Sequence, residues 1–244
     1  VNCLNGNVVS ISFRYVFYLE GGKIDHRYLP PTVGDVAIIG NFLEGTVETS
    51  ELPDSLSNLD LKVNWLHGTV DLTRLPANLE LLNLSANRFS GDIDLTHLPE
   101  RLTSLHMYDN ELTGSLDLTC LPRSLADIEM YKNQFSDGID ITHLPRRLET
   151  LNISQNRLSG ELDFRYLPDK LLTLNLSQNR FRGEVDLTSL SKEFLTNIDL
   201  STNCFHGTLQ VPERSVVRIT ARGNTITRVV DSYGNTVTKS NIQL

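Results

Sequence analysis

An asparagine returns along this chain at a fixed step. Asn41, Asn64, Asn87, Asn110, Asn133, Asn156 and Asn179 stand 23 residues apart, Asn203 follows after 24 and Asn224 after 21. A period of that length means one small supersecondary unit copied along the chain. Each copy is too small to bury a core alone and is stable only when stacked on its neighbours. In this frame the unit reads L-x-x-L-x-L-x-x-N-x-L/F-x-G-x-I/V/L-D-L-T-x-L-P-x, almost intact in LELLNLSANRFSGDIDLTHLP, Leu79 to Pro99.

Each part of the unit has a physical role. The L-x-L step alternates with period two, so Leu82 and Leu84 point inward while Leu81, Asn83 and Ser85 face out from a short strand, and successive strands stack into a parallel sheet. The repeating Asn ends the strand at a sharp turn, where its amide is expected to bond buried backbone groups of its own and the next coil. Phe89, Phe135, Phe181 and Phe205 share an apolar position with Leu43, Leu66, Leu112 and Leu158, a second line of packing under that turn. The following Gly permits backbone conformations closed to other residues. In D-L-T-x-L-P, Asp and Thr are turn and cap formers, and Pro suits the start of a short helical or extended return.

This pattern resembles the leucine-rich repeat, over roughly residues 8 to 226. The L-x-G-x-I step looks like the plant-type subclass, and D-L-T-x-L-P is similar to surface repeat proteins of kinetoplastid protists. VNCLNGNVVSISF resembles the end of an N-terminal cap of that subclass. The resemblance implies a leucine-rich repeat solenoid: a curved right-handed coil stack with a parallel β-sheet on the concave face and short turns, extended or 3-10 segments on the convex face. It implies a cap remnant at 1–7, about ten coils at 8–226 and a C-terminal capping segment at 227–244. It also implies extracellular or cell-surface display, with a cytoplasmic location as the alternative, and binding of a protein ligand whose identity it does not give. A recognition segment of a larger receptor kinase or ligase, or a structural coat without a ligand, are the competing readings. Three departures stand out. The first coil, Phe13 to Asp25, holds about two extra residues. FSDGIDI at 135–141 shifts the usual Gly by one. The last coil lacks D-L-T-x-L-P, and RVVDSYGNTVT, Arg228 to Thr238, reads as two extended runs about a turn that cover its open edge.

Composition narrows the classes. The 244 residues, 39% hydrophobic, suffice for one sizeable core. A net charge of −8 with both signs interspersed gives neither a nucleic-acid footprint nor a polybasic membrane patch, and no apolar run is long enough to suggest membrane insertion. A monomer without cofactor is expected. The chain opens at Val1 rather than Met, so further chain upstream is expected, and Cys3 is read as having lost its partner there. Cys120 and Cys204 lie more than three coils apart, beyond disulfide reach, and are expected as free thiols. Asp25, Asp71, Asp94, Asp117, Asp140, Asp163 and Asp186 share one repeat position; they are read as turn formers bonded to their own Thr or backbone rather than as calcium ligands. No metal site and no catalytic constellation is expected.

Outward strand positions do not pack the core, so departures from the repeat's average there are candidates for function. Between the two core residues the series runs Ala37, Asp60, Asn83, His106, Glu129, Asn152, Asn175, Asp199. Two positions on it runs Ile39, Lys62, Ser85, Tyr108, Tyr131, Ser154, Ser177, Ser201. The bulky departures cluster on two coils: His106, Tyr108, Asp109 and Glu111 on one, Asp127, Glu129, Tyr131 and Lys132 on the next. Aromatic centres with charged rims are the composition of protein-binding hot spots. Phe42 and Trp65, each following a ladder Asn, add apolar groups at one border. Met107 and Met130 replace Leu in the same two coils and are read as core filling. Asn83, Asn152 and Asn175 each begin an N-x-Ser sequence, the acceptor pattern for N-glycosylation.

Overall fold

The computed structural model describes residues 1–16, 22–190, 195–212, 217–238 and 240–244. Among them, twelve strands form one sheet whose spatial order is the chain order: Asn2–Leu4, Asn7–Arg14, Asp35–Ile39, Asn58–Asp60, Leu81–Asn83, Ser104–His106, Asp127–Glu129, Thr150–Asn152, Thr173–Asn175, Asn197–Asp199, Arg218–Thr220 and Ile242–Gln243. From the second strand onward every pairing is parallel, and equivalent repeat positions face one another: Leu82, Leu105, Ile128, Leu151 and Leu174 follow in register. The first pair is antiparallel and turns through Asn5 and Gly6, at φ 51° and 82°, the left-handed pair that closes a two-residue hairpin. Part of the enlarged first coil, residues 17–21, lies outside the described residues.

The strands are short because the asparagine turn cuts them off. At the position before each ladder Asn the backbone is left-handed: Val63, Ala86, Asp109, Lys132, Gln155, Gln178 and Thr202 have φ between 53° and 60°, and Gly40 and Gly223 stand there in the first and last turns. The Asn then binds backwards. Asn133 Oδ1 accepts the Leu112 N–H at 3.1 Å, and its Nδ2 donates to the carbonyls of Met107 and Met130 at 2.9 and 3.2 Å. The Met130 bond stays within the asparagine's own coil, as expected, while the Leu112 and Met107 bonds reach the preceding coil rather than the next, because the chain has already turned toward the earlier coil's returning segment.

The L-x-G-x-I step does more than extend. It pairs in parallel into two four-stranded strips along the flank, Glu44–Gly45, Trp65–Gly68, Arg88–Gly91 and Glu111–Leu112 in one, Ser159–Gly160, Arg180–Asp186, Cys204–Gln210 and Thr225–Val230 in the other. Gly91 shows why the glycine recurs: its φ is +83°, and a Cβ there would sit 2.9 Å from Thr69 Cγ2 of the coil before. In the irregular repeat, Asp137 takes that left-handed conformation itself, at φ 68°, so the conformation stays in place although the Gly has moved.

On the remaining side, 3-10 turns at His26–Tyr28, Thr49–Glu51, Leu72–Arg74 and Phe164–Tyr166 carry the chain back. The aspartates of this segment behave as turn formers. Asp94 Oδ1 accepts the Thr96 N–H at 2.8 Å and its hydroxyl at 2.6 Å, and Asp71, Asp117, Asp140 and Asp186 repeat both bonds. Asp163 and Asp25 accept instead from Arg165 and Arg27. One continuous core fills the interior, with Phe89, Phe135, Phe181 and Phe205 wholly buried, as are Met107 and Met130. At the C-terminus, Thr225–Val230 joins the second strip, a turn closed by the Asp231 N–H to Asn235 carbonyl bond bridges Val230 to Thr236, and Ile242–Gln243 then adds the last strand of the main sheet.

Candidate partner-binding face

The strand Asp127–Glu129 lies parallel beside Ser104–His106, with Glu129 opposite His106. Tyr108 and Tyr131 follow two residues later on the same side, and one coil spacing brings their rings together: centroids 4.5 Å apart, planes within 6°. Both rings are half-buried, and neither hydroxyl has a hydrogen-bond partner among the described residues. Burial pushes the Tyr131 hydroxyl up to about 12, with Tyr108, Glu129 and Asp109 adding to the shift, and raises Tyr108 as well.

Charge surrounds the stack. His106 Nε2 lies 2.8 Å from Asp127 Oδ2, and Lys132 Nζ donates to Asp109 Oδ2 at 2.8 Å, each contact crossing from one coil to the next. Asp127 Oδ1 is buried without a partner among the described residues. Glu129, half-buried between these pairs, is raised above the ordinary carboxylate range by desolvation, with His106 working against the shift. Its side chain makes no hydrogen bond or ion pair among the described residues. Glu111 is exposed beyond the turn. Seven of the eight clustered residues thus form one patch on the main sheet, with Glu111 at its margin.

Phe42 and Trp65 sit elsewhere. Trp65 opens a flank strand, with Phe42 against it at 4.9 Å and the Arg88 guanidinium over its ring at 5.2 Å. This cluster belongs to the flank strip, across the asparagine turn from the tyrosines. Arg88 was missed in the sequence although it occupies the same column, first after the ladder Asn.

The outward positions are not all open. Asn83 is 5% exposed and Ser85 fully buried, whereas alternation alone placed both in solvent. With strands about 4.8 Å apart, a small side chain is overlain by its neighbours. Asn83 also folds back, its Oδ1 accepting the Ser85 N–H. Asn152 and Asn175 make the same bond to Ser154 and Ser177 and remain half-buried.

A profile described as Leucine Rich Repeat matches residues 147–165. With the in-register sheet and the asparagine ladder, that settles the architecture. The fold is a leucine-rich repeat solenoid. No curated protein matches the sequence significantly. Among solved structures, the chain is similar to the plant peptide hormone receptor RGFR1 in complex with RGF2, with a TM-score of 0.61 and 22% identity over 93% of this chain and 42% of the receptor chain. It is similar to a plant ice-binding protein, with a TM-score of 0.62 and 22% identity over 90% of this chain and 72% of that one. It is also similar to YopM from Yersinia enterocolitica, with a TM-score of 0.59 and 23% identity over 88% of this chain and 46% of that one. The chain therefore spans less than half of the receptor it matches, and identities this low speak for the fold alone.

Proposed function

We propose that this solenoid is a protein-interaction module that binds its partner on the concave main sheet, around Tyr108 and Tyr131. The carrying observation is the stacked tyrosine pair. Equivalent coils place serine there at Ser85, Ser154, Ser177 and Ser201, so the scaffold does not need the rings. Aromatic side chains with free hydroxyls and a charged margin supply contact area and hydrogen bonds together. Leucine-rich repeats are commonly interaction modules, and RGFR1 is itself in complex with RGF2. On this reading the chain is displayed outside the cell or on its surface as part of a longer protein. Asn152 and Asn175 serve as glycan acceptors beside the patch, and the buried Asn83 does not. The flank strips, built on the L-x-G-x-I glycine, support placing the repeats in the plant-type subclass.

The test is affinity. A partner captured from the native source is measured against the chain carrying Tyr108→Ala and Tyr131→Ala. The double variant weakens binding by about 2 kcal/mol, some thirtyfold, with an unchanged melting curve. Unchanged affinity moves the site to Phe42, Trp65 and Arg88, or off both sheets.

A further inference from the structure

We propose that the partner presents an arginine to this face, its guanidinium seated on the Glu129 carboxylate and lying against Tyr131. The inference rests on the main sheet being the binding face and goes beyond it by stating the partner's chemistry: a basic, arginine-bearing segment.

Three observations converge on one cation. First, the charges of the patch are unevenly satisfied. Lys132 is taken by Asp109 and Lys62, farther along the face, by Asp60. His106 is taken by Asp127. Glu129 alone among these carboxylates has no partner among the described residues, yet it is half-buried. The imidazole facing Glu129, His106, is bonded to Asp127 and only partly offsets the desolvation of the carboxylate, and a ligand cation bonded to it restores the balance. Second, Asp127 and Glu129 alternate on one strand and Tyr131 follows two residues past its end, so the three stand in a row on one side, about 7 Å between neighbours. A group above Glu129 is therefore within reach of the ring. Third, the next coil carries only Ser154 beside Tyr131, so the ring face turned away from Tyr108 meets no large side chain at that position.

The same geometry separates arginine from lysine. A planar guanidinium lies flat on a tyrosine ring while its edge donates two parallel hydrogen bonds to a carboxylate; an ammonium does one or the other. The protein's own net charge of −8 favours a basic partner at longer range.

The experiment selects a library of random linear peptides on the immobilised chain and measures the selected peptides against variants. The expected binders are enriched in arginine. Replacing that arginine by citrulline, its neutral isostere, or making Glu129→Gln in the chain, weakens binding on the order of tenfold or more, and lysine only partly substitutes. Glu161→Gln, a carboxylate away from this sheet, leaves affinity unchanged, and melting curves confirm that each variant is folded. If the double tyrosine variant loses binding while Glu129→Gln does not, the arginine claim falls and the face stands. If neither weakens binding, both fall. A library that yields no binder, or binders without arginine, also overturns the proposal.

Discussion

At Val63 the fold works against its own sequence. It holds the left-handed conformation before a ladder Asn at φ 60°, is β-branched, and is 42% exposed. That conformation costs an ordinary L-residue about 1–2 kcal/mol and a β-branched one at least as much, while asparagine tolerates it. The Val63 N–H donates to the Ser85 carbonyl at 3.0 Å, a bond any non-proline side chain preserves. Val63→Asn should therefore stabilise the protein by about 1 kcal/mol, seen as a higher denaturation midpoint at constant slope. A lower midpoint would mean that the exposed isopropyl group packs more than its burial indicates. The left-handed step itself was signalled in the sequence by Gly40 and Gly223 at the ends of the array. The seven other turns hid it behind residues of ordinary composition. At Tyr108 and Tyr131 the departure from serine gave the site's position in the sequence, but not the near-parallel stacking of the rings, which depends on rotamers.

At the scale of the element, the tyrosine stack has a measurable titration. The folded state holds the Tyr131 hydroxyl at about 12 against an ordinary value of 10. Because the pKa is raised on folding, the associated stability is present below the unfolded value and is lost as pH rises through the folded one, roughly pH 10 to 12. In a spectrophotometric titration of the native protein, Tyr131 should ionise near pH 12, and Tyr131→Phe should remove that component. Tyr108, also raised by burial, still ionises later than an exposed tyrosine after the substitution, but a component near pH 12 that survives it undiminished would place the most perturbed hydroxyl elsewhere. Strand and ladder were legible because period two and a fixed asparagine are strong local signals. The flank strips were not, because their strands are as short as two residues and gain definition only from hydrogen bonds to neighbouring coils. The burial of Asn83 was invisible for the same reason: alternation says which side a residue faces, and only neighbours say whether that side is open. The aspartate column was readable because each carboxylate is satisfied within its own turn.

For the whole molecule, stacking in one dimension sets the shape. A globular chain of 244 residues has a radius of gyration of roughly 18 Å; stacked coils should exceed that in solution scattering, and a compact profile would contradict the solenoid. The same one-dimensional order separates the two candidate patches, since the tyrosines lie on the main sheet and Phe42, Trp65 and Arg88 on the flank. Hydroxyl-radical footprinting of the partner complex, read residue by residue by mass spectrometry, distinguishes them directly. Tyr28, Tyr166 and Tyr233 are exposed and serve as internal references. Binding on the main sheet requires that labelling of Tyr108, Tyr131 and His106 falls on complex formation while Trp65 and the three reference tyrosines are unchanged. Protection of Trp65 and Phe42 with the stacked tyrosines still labelled would contradict it.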